Sequence, residues 1–222
     1  MPTPSPRSLL VLVVILAFVI GLIQVGLVSI AFDKLGLSSD SAYLLLMLTL
    51  GGSLINVPVV TLKSGAPRPP PPIRDFFGRW PFPRFPPFTG KVTITVNLGG
   101  AVIPVLFSLY LFSHVPLGLV EVVAAVTAVT VVSSKFSRPI PGIGIGMPVL
   151  VAPLTAALVA SLLDPVERAP LAYVAGTLGV LIGADLMRLK DILKLGSPFA
   201  SIGGAGTLDG VFLTGIIAVL LA

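Results

Sequence analysis

The sequence predicts an all-α polytopic membrane protein of about seven transmembrane helices, and three observations predict it. Of 222 residues, 55% are hydrophobic and 10% charged, against roughly 25% charged in soluble domains, and the mean hydropathy is +1.07. Seven apolar segments recur along the chain, on the scale of about 20 residues that a helical span requires. The lysines and arginines fall between these segments with a strong bias to alternate loops. The net charge of +5 gathers into no basic helix or stripe, which argues against nucleic acid as a partner. The absence of cysteine excludes disulfides, thiolate metal sites and thiol nucleophiles.

The first segment, 9–31, follows the n-region "MPTPSPRS". No polar small-residue cleavage site follows it, so it reads as an uncleaved helix rather than a signal peptide. The second covers 42–62. The connection 63–91 contains "APRPPPPIRDFFGRWPFPRFPPF", whose nine prolines oppose regular helix. Its interleaved Phe, Trp and Arg suit the headgroup region of an anionic leaflet, so it reads as an interfacial flap or linker on the cytoplasmic side, with a proline-motif docking site as the alternative. In residues 91–97, "KVTITVN", apolar and polar residues alternate, which predicts a short β segment: a short hairpin or interfacial strand, or, where exposed at a cavity, an edge for strand addition by an unfolded substrate.

The third and fourth segments, 98–113 and 117–132, are short and flank a turn at Pro116. His114 and Glu121 beside that turn are too few for a metal site. The loop 133–148 places Gly142, Gly144 and Gly146 between Ile143, Ile145 and Met147. This is too glycine-rich for stable helix and reads as extended backbone, either an ordinary turn between helices or a re-entrant segment. The fifth, sixth and seventh segments follow at 147–163, 171–187 and 204–222, completing a single membrane domain across 1–222.

Charge then orients the spans. Arg7, Lys63, Arg68, Arg74, Arg79, Arg84, Lys91, Lys135, Arg138, Arg188, Lys190 and Lys194 fall on one side, and only Lys34 and Arg168 on the other. The positive-inside rule therefore predicts a multi-pass protein of the cell membrane with its N-terminus in the cytoplasm and its C-terminus outside.

That topology brings two aspartates to similar depth: Asp185 near the cytoplasmic end of the sixth span, and Asp209 just inside the seventh. Antiparallel helices joined by a short loop usually pack together. Two carboxyls held close in a low-dielectric site share a proton, so that one serves as general base while its protonated partner polarises a carbonyl. Gly203, Gly204 and Gly206 precede Asp209 and would let a substrate backbone approach. Gly142, Gly144, Gly146 and Asn97 gather on the same side as further candidates for substrate access or backbone contact. Two structural alternatives stand beside this reading. Thr207 can cap the seventh helix with Asp209 in its first turn, and Arg188 can pair with Asp185 three residues earlier.

The stretches Gly183-Ala184-Asp185 and "GGAGTLDG", residues 203–210, resemble the intramembrane aspartyl proteases of the presenilin, signal-peptide-peptidase and prepilin-peptidase kind. Those enzymes carry Gly-x-Gly-Asp, and here Thr207 and Leu208 stand between the glycines and the aspartate. The resemblance implies a hydrolase with Asp185 and Asp209 as catalytic dyad and single-span membrane peptides as substrates, with no cofactor and no metal. As a whole the chain resembles an uncharacterised prokaryotic family of small multi-span proteins of unknown function, which implies membrane location and no activity. The partners expected are therefore the lipid bilayer, such peptides and, as an oligomer, further copies of the chain. The alternatives are a cation- or proton-coupled transporter using the same carboxylates beside broken helix ends, and a non-catalytic subunit of a membrane complex.

Overall fold

A computed structural model of the chain describes residues 25–64, 89–140, 144–193, 198–204 and 210–222. These residues are mostly helical, with a few short strands. Helix α1 occupies residues 25–34. Helix α2, Ser39–Ser53, starts where the Ser38 hydroxyl accepts the Ser41 N–H at 3.3 Å, with Asp40 in its first turn, both favourable at a helix N-terminus. Strands β1, Asn56–Lys63, and β2, Lys91–Asn97, lead into a π-helical turn, Leu98–Val102, and then α3, Ile103–His114. Next come α4, Leu119–Phe136, the strands β3, Arg138–Ile140, and β4, Gly144–Gly146, and α5, Val151–Leu163. Helix α6, Arg168–Val180, runs into a second π-helical turn, Leu181–Leu186, and the short α7, Leu189–Ile192. Strand β5, Phe199–Ile202, and α8, Gly210–Leu221, complete the described elements.

Helix α6 is the centre of the bundle, packed by α3, α4, α5 and α8. It is buried on every side from Ala169 to Thr177 and again at Gly179 and Val180. Small residues make this close approach feasible, as at other interfaces of apolar helices. Gly176 faces Thr214, Ala156 and Ala218, while Gly179 and Gly183 face Val129, Thr130 and Ser133 of α4. The ring of Tyr173 meets Phe107 of α3 edge-on at 5.0 Å.

Two of the described helices are long and apolar enough to cross a membrane, Leu119–Phe136 and the continuous stretch Arg168–Asp191. The apolar helices Leu98–His114, Val151–Leu163 and Gly210–Leu221 are shorter. At about 1.5 Å per residue, a 13-residue helix such as α5 extends roughly 20 Å, less than the hydrocarbon thickness of about 30 Å.

The expectation of an all-α chain needs correction. Sheet β1–β2–β5 joins β1 and β2 antiparallel and β2 and β5 parallel, and β3 and β4 form a separate antiparallel hairpin. The apolar segment 42–62 is divided: helix ends at Ser53, and its second half is β1. Pro58 breaks helical hydrogen bonding there, and Val57, Val59, Val60 and Thr61 are β-branched. Strand β2 coincides with the alternating stretch 91–97, but it is the central strand, with β1 and β5 on its two edges, and so has no free edge for strand addition. The apolar segment 9–31 falls largely outside the described residues, as does most of the loop 63–91.

Candidate functional site

The end of the bundle bearing the sheet gathers the polar groups of interest. Asn97 closes β2 and opens the first π-helical turn. Its Oδ1 accepts the Gly100 N–H at 2.7 Å, and its Nδ2 donates to the Ser53 carbonyl at 2.7 Å and to Asn56 Oδ1 at 3.1 Å. Asn56 Oδ1 also accepts the Ser201 hydroxyl of β5 at 2.6 Å. Asn97 is only 1% exposed, so its amide is committed to tying α2, β1 and the turn together. Gly99 completes this junction by lying against the backbone of α2 at Thr49 and Ser53.

Asp185 stands in the second π-helical turn, where the Met187 N–H reaches back five residues to the Ile182 carbonyl. The extra residue in such a turn redirects the side chains beyond it, and π turns concentrate at functional sites. Here it aims Asp185 across to the turn that follows β5: Asp185 Oδ2 accepts the Gly203 N–H at 2.7 Å. Gly203 and Gly204 both have positive φ, +78° and +86°, conformations that glycine adopts without steric cost. Gly203 also touches the first π turn, where an added Cβ would come within 2.6 Å of Ala101 Cβ. The two π-helical turns thus converge on one glycine, through packing on one side and a carboxylate on the other.

The pairing of Asp185 with Arg188 does not form. Arg188 instead holds Asp191 at 3.1 Å and the Ser137 hydroxyl at 3.2 Å, and donates to the Ser134 carbonyl. Among the described residues, Asp185 makes its one hydrogen bond through Oδ2, which leaves Oδ1 without a partner. Asp209 and Gly206 lie outside the described residues, as does Gly142.

Gly144 and Gly146 lie in β4, paired with Ile140 and Arg138 of β3. Ile145 between them packs on Val92 and Ala200, so the hairpin rests on the apolar face of the main sheet. No described hydrogen bond joins that hairpin to Asp185. His114 and Glu121 form no ion pair among the described residues. The His114 ring stacks on Tyr110 at 4.1 Å, and its Nδ1 lies 2.8 Å from the Ser113 hydroxyl and 3.0 Å from the Tyr110 carbonyl. No cluster of three or more His, Cys, Asp or Glu suited to a metal occurs among the described residues.

Sequence reasoning missed Ser53, Asn56, Ser201 and Ala101, which build the surroundings of Asn97 and Gly203. The run Asn97-Leu98-Gly99-Gly100 carries a readable signal, since an asparagine followed by glycines is a cap and close-contact pattern. No comparable signal marks Ser201.

No curated protein and no solved structure matches the chain. A family model does match, over residues 50–221, from the last turn of α2 to the last residue of α8. That range contains Asn97, Asp185, Gly203 and Asp209, and the match carries no activity with it. The chain belongs to the family described as Protein of unknown function (DUF1614).

Proposed function

We propose that this is a multi-pass membrane protein of about seven spans, a single membrane domain, that hydrolyses peptide bonds near the cytoplasmic face, with Asp185 and Asp209 as its catalytic pair. The observation that carries the reading is the state of Asp185: one carboxylate oxygen is fixed by Gly203 while the other has no partner among the described residues. Gly203 precedes Asp209 by six residues, and Asp209 directly precedes Gly210, the first residue of α8, which packs against α6. A carboxylate held by one oxygen keeps its orientation and retains an oxygen to take a proton from water. The second carboxyl, protonated, would donate to the substrate carbonyl and stabilise the tetrahedral oxyanion.

The charge distribution supports the orientation. Lys63 and Lys91 sit opposite each other in the β1–β2 register, a like-charge pairing that an anionic leaflet would relieve. Arg138 begins β3, and Arg188 bonds to the end of α4. The glycines at 142, 144, 146, 203, 204 and 206 serve access of an extended backbone to the carboxylates, and Asn97 fixes the junction beside them.

Reconstitution in liposomes tests the reading. Wild type should release fragments from single-span substrates, and Asp185→Asn and Asp209→Asn should each abolish release. The double variant should be no worse than either single, because a dyad acts as a unit. Cleavage surviving both substitutions would remove the assignment. A pH-driven cation flux without peptide products, lost in the same variants, would assign the carboxylates to transport, and inactivity in both assays would assign the chain to a non-catalytic role in a membrane complex.

A further inference from the structure

Lys34 and Arg168 are the two basic residues that depart from the one-sided distribution of the other twelve. They lie far apart in sequence, yet both line one cavity of about 140 Å³, at the end of α6 opposite Asp185. Seventeen residues of helix separate Arg168 from Asp185, roughly 25 Å at about 1.5 Å per residue, so this cavity is distinct from the candidate catalytic end.

The Lys34 ammonium is held in place by the end of α8, donating to the carbonyls of Val219 at 3.3 Å and Leu220 at 3.2 Å. An ammonium has three donors, so one remains. Arg168 is exposed and has no hydrogen bond or ion pair among the described residues, which leaves its guanidinium fork free. Glu167 is the acidic side chain among those lining the cavity. The neighbouring Asp164 is turned away onto its own loop, where its Oδ1 accepts the N–H groups of Val166 and Glu167.

We infer that this cavity binds a phosphate group. Its volume suits one phosphate with its waters and is well below the roughly 300 Å³ at which pockets for larger small molecules begin. The recognising chemistry is a planar guanidinium able to bond two phosphate oxygens and an anchored ammonium supplying a point charge. The N-terminus of α6, which has no side-chain cap, adds a favourable field for an anion. Either inorganic phosphate or the phosphodiester of a lipid headgroup presents the required oxygens.

The test uses the full-length chain, purified in uncharged detergent, in two arms. In the first, inorganic phosphate is titrated at matched ionic strength and binding is read by thermal shift and ³¹P line broadening. In the second, the chain is placed in phosphatidylglycerol vesicles, and an immobilised lipid component is sought in the ³¹P spectrum. Saturable binding of inorganic phosphate that weakens by about tenfold or more in Arg168→Gln, as loss of a bidentate charged contact implies, supports a site for the free anion. An immobilised lipid component lost in Arg168→Gln, with no response to inorganic phosphate, supports a headgroup site. Arg168→Lys keeps the charge without the fork and should give a smaller loss in the responding arm, which provides a reading even where Arg168→Gln folds poorly. Wild type indistinguishable from both variants in both arms overturns the inference.

Discussion

Asp185 and Gly203 are joined by a hydrogen bond of 2.7 Å from the Gly203 N–H to the Asp185 carboxylate, linking the π-helical turn at the C-terminal end of the central helix to the turn that follows β5. The bond depends on an unusual backbone at both partners. Asp185 is aimed by a π-helical turn, and Gly203 presents its N–H from a left-handed conformation with φ of +78°. A change at either residue therefore disturbs the same junction by a different physical route.

Gly203→Ala should destabilise the protein by about 1–3 kcal/mol, the range for a non-glycine residue held at positive φ. The new methyl would also crowd Ala101. Gly210→Ala is the matched control, because a Cβ there meets nothing within 4 Å at the start of α8. It should be neutral or stabilising by up to about 1 kcal/mol. Thermal unfolding of both variants in detergent, compared with wild type, gives the two signs.

Asn97→Ala should cost about 2 kcal/mol or more, since it leaves the Gly100 N–H and the Ser53 carbonyl unpaired in a buried site. Asn97→Asp keeps the acceptor for Gly100 but places an oxygen against the Ser53 carbonyl, so it should also destabilise. Partial recovery is expected in Asn97→Asp at acid pH, where a protonated carboxyl can donate again. Unfolding followed as a function of pH separates the two variants.

The parts of this structure that were legible in the sequence are those governed by local periodicity. The alternation in 91–97 marks β2, and the long apolar runs mark α4 and α6. Strand β1 escaped because its residues are as apolar as the helix before it. Only Pro58 and the β-branched neighbours distinguish the two, and they were outweighed by overall hydropathy. Strand β5 has four residues and owes its conformation to β2, a tertiary cause that no local pattern announces. At the site, Asp185 was readable as an ionisable group in an apolar segment. Its partner Gly203 was named for substrate access, and its bond to Asp185 became visible only once the π turn rotated the carboxylate toward it.

Orientation in the membrane is tested by labelling. The chain has no cysteine, so Gly78→Cys introduces a single thiol into the proline-rich connection. With that loop in the cytoplasm, an impermeant maleimide applied to intact cells should leave it unmodified and should label it after permeabilisation. A cysteine replacing Val166, between α5 and α6, should show the opposite pattern. Reaction of the thiol at residue 78 from outside would reverse the topology and with it the side on which Asp185 lies.

The sharpest separation of structural from chemical roles comes from comparing Asp185→Asn with Asp185→Ala. The asparagine retains an oxygen that can accept the Gly203 N–H, exchanging a charge-assisted bond for a neutral one, a difference of about 1 kcal/mol. The alanine leaves that N–H without its acceptor, which should cost about 1–3 kcal/mol when it is shielded from water. Asp185→Asn should thus be more stable than Asp185→Ala. Peptide cleavage, which requires a carboxylate able to take a proton from water, should be absent from both variants alike. Measured together on reconstituted protein, the two scales give different rankings if Asp185 is catalytic. Cleavage that instead declines in step with stability, with Asp185→Asn retaining most of it, would make Asp185 a positioning residue for the Gly203 turn and would move the search for the base to other groups at that end of the bundle.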